Sequence, residues 1–206
     1  MICLMDGRLI VVEMYGKVNL LTSDGKLQKQ LPIPGEAWSV TQINQNTIAI
    51  TYPEEKAIKI FNMENETVTK VITLDKECRG LSFYNNSLAV GLIDDDEIRI
   101  IDLEGNTLKS IQVESKSNLY NLVYCNDRVI YSDCVGNAVY CYDESADYES
   151  DRIIVISKDG QESKVLISEE DGLEDPRCIC FKHNESSGFI CDFNGTYFAK
   201  FHLSSG

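Results

Sequence analysis

Residues 86–113 read NSLAVGLIDDDEIRIIDLEGNTLKSIQV: an apolar run, a polar turn, a second apolar run, a hairpin signal at Glu104-Gly105 and a third run. Two upstream stretches repeat that order, GRLIVVEMYGKVNLLTSDGKLQKQLPI at 7–33 and NTIAITYPEEKAIKIFNMENETVTKVITL at 46–74. Equivalent positions fall at Leu9, Ile48 and Leu88 in the first run and at Val18, Ile58 and Ile98 in the second, a period of about 40 residues. Between the stretches comes one further run: WSVTQI at 38–43, RGLSFY at 79–84 and YNLVYC at 120–125. Each unit therefore holds four short runs, a to d in chain order. Apolar alternation with β-branched and aromatic residues marks them as strands, and the turns at Asp24-Gly25, Glu104-Gly105 and Asp159-Gly160 have hairpin chemistry. No stretch shows sustained helical spacing.

Four antiparallel strands repeated at this period predict an all-β chain folded as a β-propeller, because one twisted sheet cannot bury both faces alone and neighbours must stack about an axis. A β-sandwich would not impose a fixed period. The chain is read as a single propeller domain over 1–206, with blade-like repeats at about 1–34, 35–74, 75–115 and 116–146, an irregular junction at 147–170 and a last partial blade at 171–206.

The register breaks after the fourth unit, which opens normally with a at Leu119 to Cys125, b at Arg128 to Asp133 and c at Asn137 to Tyr142. DRIIVISKDGQESKVLI at 151–167 then reads as another c–d hairpin, with IIVISKDGQ matching IRIIDLEGN position by position. Against a six-bladed parent about four of 24 strands are missing, three of them near Ala146 and Asp147, as a deletion or alternative splice would leave them. Two outcomes stand open. Either Arg152 to Ile156 folds beside Asn137 to Tyr142 as a surrogate outer strand and the ring recloses with about five blades, or the ring stays incomplete and gapped. The opening ICLMD resembles the end of a strand a, so upstream sequence is expected.

PRCICFKHNESSGFICDFN at 176–194 and the unit at 79–111 resemble the NHL-repeat β-propellers that form the C-terminal domain of tripartite-motif (TRIM) proteins. DRVIYSDCVGNAVYCYDE at 127–144 is similar to the YWTD blades of lipoprotein-receptor propellers, with Ser132 and Asp133 in the Thr-Asp places. The NHL resemblance implies full-length relatives that carry a RING finger, B-box and coiled coil and act as ubiquitin ligases, the propeller selecting the substrate. This chain has none of the zinc-ligand spacings those modules need.

Nineteen Lys and Arg against 33 Asp and Glu give a net charge of −14, a field that repels phosphate backbones. A protein or basic peptide is the expected partner, with RNA disfavoured. No apolar run approaches the roughly eighteen residues of a membrane span, and the N-terminus lacks a basic n-region, so a cytoplasmic protein without membrane contact is expected. The eight cysteines form no C-x-x-C pair and most sit in apolar alternating runs, as buried thiols do.

In a propeller the d–a connections and b–c loops share one rim, the top. Residues at the entry to strand a align as Trp38, Arg79, Tyr120 and Arg177, and those just past strand b include Glu13, Tyr52, Asp133 and Asp192. Aromatic and Arg side chains on one face favour partner binding, and packing between blades is the alternative role for each. No catalytic residue, metal or cofactor is assigned. The only histidines, His183 and His202, both fall in the last blade, so a zinc site cannot be assembled from different blades. A calcium-dependent, lactonase-like hydrolase is the rival reading, with oxygen ligands from Asp133, Asp192, Asn194 and the Asp94, Asp95, Asp96 cluster.

Overall fold

The computed structural model describes residues 1–13, 16–93, 96–113 and 119, then the strands at 121–125, 128–133, 138–142, 152–156, 163–168, 176–181, 187–192 and 198–202. Beyond Tyr124, side chains are described only at Val129 and Tyr131. Among these residues every regular element is a strand.

The first blade is β1 (Ile2–Cys3), β2 (Leu9–Val12), β3 (Val18–Leu21) and β4 (Leu27–Gln30), hydrogen-bonded in that order. The second is β5 (Val40–Asn44), β6 (Thr47–Tyr52), β7 (Ala57–Asn62) and β8 (Thr67–Thr73). The third is β9 (Cys78–Tyr84), β10 (Ser87–Leu92), β11 (Glu97–Asp102) and β12 (Thr107–Gln112). All three are antiparallel meanders. The positive φ that their tight c–d turns require is supplied by Gly25 (82°), Glu66 (56°) and Gly105 (93°).

The fourth sheet has five strands: β13 (Asn121–Cys125), β14 (Arg128–Asp133), β15 (Ala138–Tyr142), β16 (Arg152–Ile156) and β17 (Ser163–Ser168). Here β16 does lie beside β15, but it runs parallel to it through the single pair Val139↔Ile153, and β17 then pairs antiparallel with β16. The fifth sheet has three, β18 (Pro176–Phe181), β19 (Ser187–Asp192) and β20 (Phe198–His202). The innermost strands β1, β5, β9, β13 and β18 lie side by side in that order, and β18 returns to β1. The ring is closed, with five sheets, and the gapped alternative is set aside.

What holds the ring together is a set of apolar seams between sheets. Leu4, Ile10, Val18, Leu20 and Leu31 of the first blade pack with Val40, Ile48, Ile50, Tyr52 and Phe61 of the second. Ala49, Ile58, Ile60 and Ile72 turn the other way, onto Cys78, Leu81, Leu88, Val90 and Leu92. Ala89, Ile98 and Ile100 meet Leu119, Leu122, Val129 and Tyr131 across the next seam. Successive side chains on a strand point to opposite faces, so strands buried on both sides read as continuous apolar runs. Each fully buried Leu or Ile contributes about 1.5–3 kcal/mol.

Candidate functional site

The seam between the second and third blades is organised by one threonine. Thr51 ends the apolar run of β6 fully buried, at 0% exposure. Its Oγ1 donates to the Arg79 carbonyl at 2.8 Å and accepts from the Ser39 amide at 3.0 Å. The backbone repeats the tie: Trp38 N donates to Thr51 O at 3.0 Å and Thr51 N to Ser39 O at 2.9 Å. The segments leading into β5 and β9 are therefore fixed relative to each other by the same residue.

That fixing brings two of the rim residues together. The Arg79 guanidinium carbon lies 4.7 Å from the centroid of the Trp38 ring, a cation–π stack across the blade boundary. Trp38 is 37% exposed and Arg79 half-buried. Glu36 and Glu77 stand two residues before Trp38 and Arg79 respectively, in equivalent places on the two d–a connections, and neither forms a salt bridge among the described residues.

The other rim residues divide. Tyr52 is 1% exposed and packs into the seam between the first two blades, so it is a core residue and not a contact surface. Its alternation within β6 decides this: Ile48, Ile50 and Tyr52 all face the first blade. Lys59 Nζ sits 3.9 Å over its ring, and burial pushes its hydroxyl well above the ordinary phenol range. Glu13 is exposed and accepts a hydrogen bond from Asn19 Nδ2. Tyr120 lies outside the described residues. Arg177, Asp133 and Asp192 are placed as strand positions only, on β18, β14 and β19.

A charge cluster absent from the sequence reading lies on the same rim. Glu97, at 8% exposure, accepts from Arg99 Nε at 3.0 Å and Nη2 at 3.1 Å, from Lys76 Nζ at 3.2 Å and from the Ser110 hydroxyl. Arg99 Nη1 also reaches Asp75 at 2.6 Å. The Arg99 hydrogen bonds, with those of Ser110 and Lys76, outweigh burial and hold the Glu97 carboxyl down at about 2. Such a saturated carboxylate has no proton to offer and is a structural anchor. Cys78, fully buried, is pushed up to about 12 by burial and is no nucleophile. The signal for Thr51 was present in the sequence, as a hydroxyl inside an otherwise apolar run. Only Arg99 is local to Glu97, on the same strand; the other partners come from β12 and the β8–β9 connection, which the sequence does not bring together.

Among the described residues no group of three His, Cys, Asp or Glu is disposed to hold a metal ion. Of the oxygen ligands considered for calcium, Asp94, Asp95 and Asn194 lie outside the described residues, and only Asp96 has a described side chain.

No protein-family model matches the chain, and no curated protein matches its sequence. The fold is similar to that of a catalytically inactive virginiamycin B lyase from Staphylococcus aureus with quinupristin, at 14% identity and a TM-score of 0.59, over 98% of this chain and 64% of that one. It is similar also to the WD40 β-propeller domain of Doa1, at 14% identity and a TM-score of 0.53, over 68% of this chain and 48% of that one. The chain thus spans less than two thirds of the length of either protein. Likeness at this identity is likeness of fold, and with the ring geometry it establishes that the chain is a β-propeller.

Proposed function

We propose that this propeller is a non-catalytic, cytoplasmic interaction module whose top rim takes a basic peptide or protein segment at the seam between the second and third blades. The observation that carries the reading is the Trp38–Arg79 stack: an aromatic ring and a guanidinium, the side chains that concentrate binding energy, with Thr51 tying the two backbones together and the Trp38 ring reachable from solvent. Glu36 and Glu77, each two residues before a member of the pair, and the net charge of −14, favour a cationic partner and oppose a phosphate backbone. The resemblance to NHL propellers supports a finer version, in which the module selects substrates for a TRIM-type ubiquitin ligase.

Trp38 is the only tryptophan, so its emission reports directly on the site. Titrating the chain with an arginine- and lysine-rich dodecapeptide is expected to shift that emission. A Trp38→Ala variant, followed by calorimetry, should bind at least tenfold more weakly, and Glu36→Gln with Glu77→Gln several-fold more weakly. A single-stranded RNA of similar length should bind less tightly than the peptide. Tight RNA binding with a steep salt dependence, or peptide binding indifferent to Trp38, would overturn the proposal.

A further inference from the structure

The Trp38–Arg79 pair also restricts which group of a partner can meet the indole. The guanidinium carbon stands over one face of the ring, 4.7 Å from its centroid, and Trp38 is 37% exposed, so a ligand reaches the ring from its other face or from an edge. Neither approach suits a cation. The edge is the positive side of the aromatic quadrupole. On the far face a second cation would stand roughly 9 Å from the first, with the low-dielectric ring between them, and their repulsion offsets the attraction that an exposed cation–π contact returns. An uncharged flat group meets neither penalty.

The backbone narrows the choice further. Trp38 N donates to Thr51 O and Ser39 N to Thr51 Oγ1, while Ser39 O accepts from Thr51 N and Arg79 O from Thr51 Oγ1. With both amide donors engaged in the seam, Trp38 and Ser39 offer an added strand nothing to pair with. A polyproline II segment needs no such donors, because its backbone stays hydrated and its proline rings dock on aromatic side chains. Basic residues to either side of the proline then meet Glu36, which is exposed, and Glu77, which is half-buried, each two residues ahead of a member of the pair.

We propose that the rim takes a proline-containing basic segment in the polyproline II conformation, with proline against Trp38 and Lys or Arg at the two carboxylates, and that Arg79 is the residue that excludes a cation from the ring. The inference rests on the basic-segment reading above and adds the group that fills its centre.

Three capped octapeptides test it on the full chain by calorimetry, with Trp38 emission as the readout of the site: Ser-Lys-Arg-Pro-Pro-Arg-Lys-Ser, the same with Gly-Gly at the centre, and the same with two trimethyl-lysines there. The proline peptide is expected to bind at least fivefold tighter than the glycine peptide. The trimethyl-lysine peptide should bind no tighter than the proline one, despite two more positive charges facing an acidic rim. Trp38→Ala should erase the preference for proline over glycine. Arg79→Met keeps an unbranched stem beside the ring and removes the charge, so it should favour the trimethyl-lysine peptide over the proline one at least fivefold; the comparison on the parent chain decides the matter if that variant does not fold. Equal binding of the proline and glycine peptides, tightest binding of the trimethyl-lysine peptide to the parent chain, or an unchanged order in folded Arg79→Met would overturn this inference and leave the basic-segment reading standing. No shift of Trp38 emission with any of the three would overturn both.

Discussion

At the residue scale, polar groups buried at the blade seams decide how the rim is presented. Replacing Thr51 by Val keeps the shape and removes the hydroxyl, leaving the Arg79 carbonyl and the Ser39 amide without that partner. A loss of about 1–3 kcal/mol is expected, or a fall in Tm of about 3–10 °C, together with a shift in Trp38 emission as the Arg79 stack loosens. Unchanged melting and emission would show that the clasp carries no weight. Glu97 gives a pH-dependent counterpart. Its folded-state value is depressed from 4.5 to about 2, so its contribution is fully present above pH 4.5 and is lost as pH falls through 2. Glu97→Gln is therefore expected to cost about 2 kcal/mol at neutral pH, with the gap from the parent closing between those two values in urea melts. Thr51 could be suspected from its apolar neighbours, whereas Glu97 could not: its main partner Arg99 is two residues on and reads as an ordinary neighbouring pair of charges, while Ser110 and Lys76, which complete the buried cluster, lie 13 and 21 positions away.

At the element scale, the seams use a repeated device with local substitutions. Thr41 Oγ1 accepts from the Phe83 amide at 3.1 Å, and Ser82 Oγ from the Tyr124 amide at 2.9 Å, each tying one inner strand to the next. At the place of Thr51 the third blade has Gly91, and the backbone takes over: Gly80 N donates to Leu119 O at 2.9 Å. A Cβ on Gly91 would come within 2.7 Å of Leu119 Cβ and 2.9 Å of its carbonyl oxygen. Gly91→Ala is accordingly expected to destabilise the chain by about 1–3 kcal/mol and to speed exchange in β10 and β13. Unchanged melting and exchange would mean that the third and fourth blades are not packed so closely. The strand pattern itself was legible, down to the hairpin turns. The parallel joint between β15 and β16 was not, because direction of pairing depends on where the connection lands and leaves no mark in alternation.

At the scale of the whole molecule, closure makes the five sheets one cooperative body. In an open array each blade leans on its neighbours alone and the ends fray; in a ring, β18 on β1 leaves no end. Urea unfolding followed by circular dichroism and by Trp38 emission is expected to give coincident single transitions. Separated transitions would indicate that the first and fifth blades come apart before the rest. The sequence by itself determined that the chain is all-β, that its strands come in groups of four and that these groups recur, since period-two alternation and a forty-residue repeat are properties of local order. It placed Trp38 and Arg79 among the residues of one rim, and it also placed Tyr52 there. Only the tertiary structure decided that Trp38 and Arg79 stack while Tyr52 is buried, and that a ring with one five-stranded and one three-stranded sheet still closes. The physical reason is that alternation assigns a residue to a face of its strand, while burial depends on the sheet that comes to lie against that face.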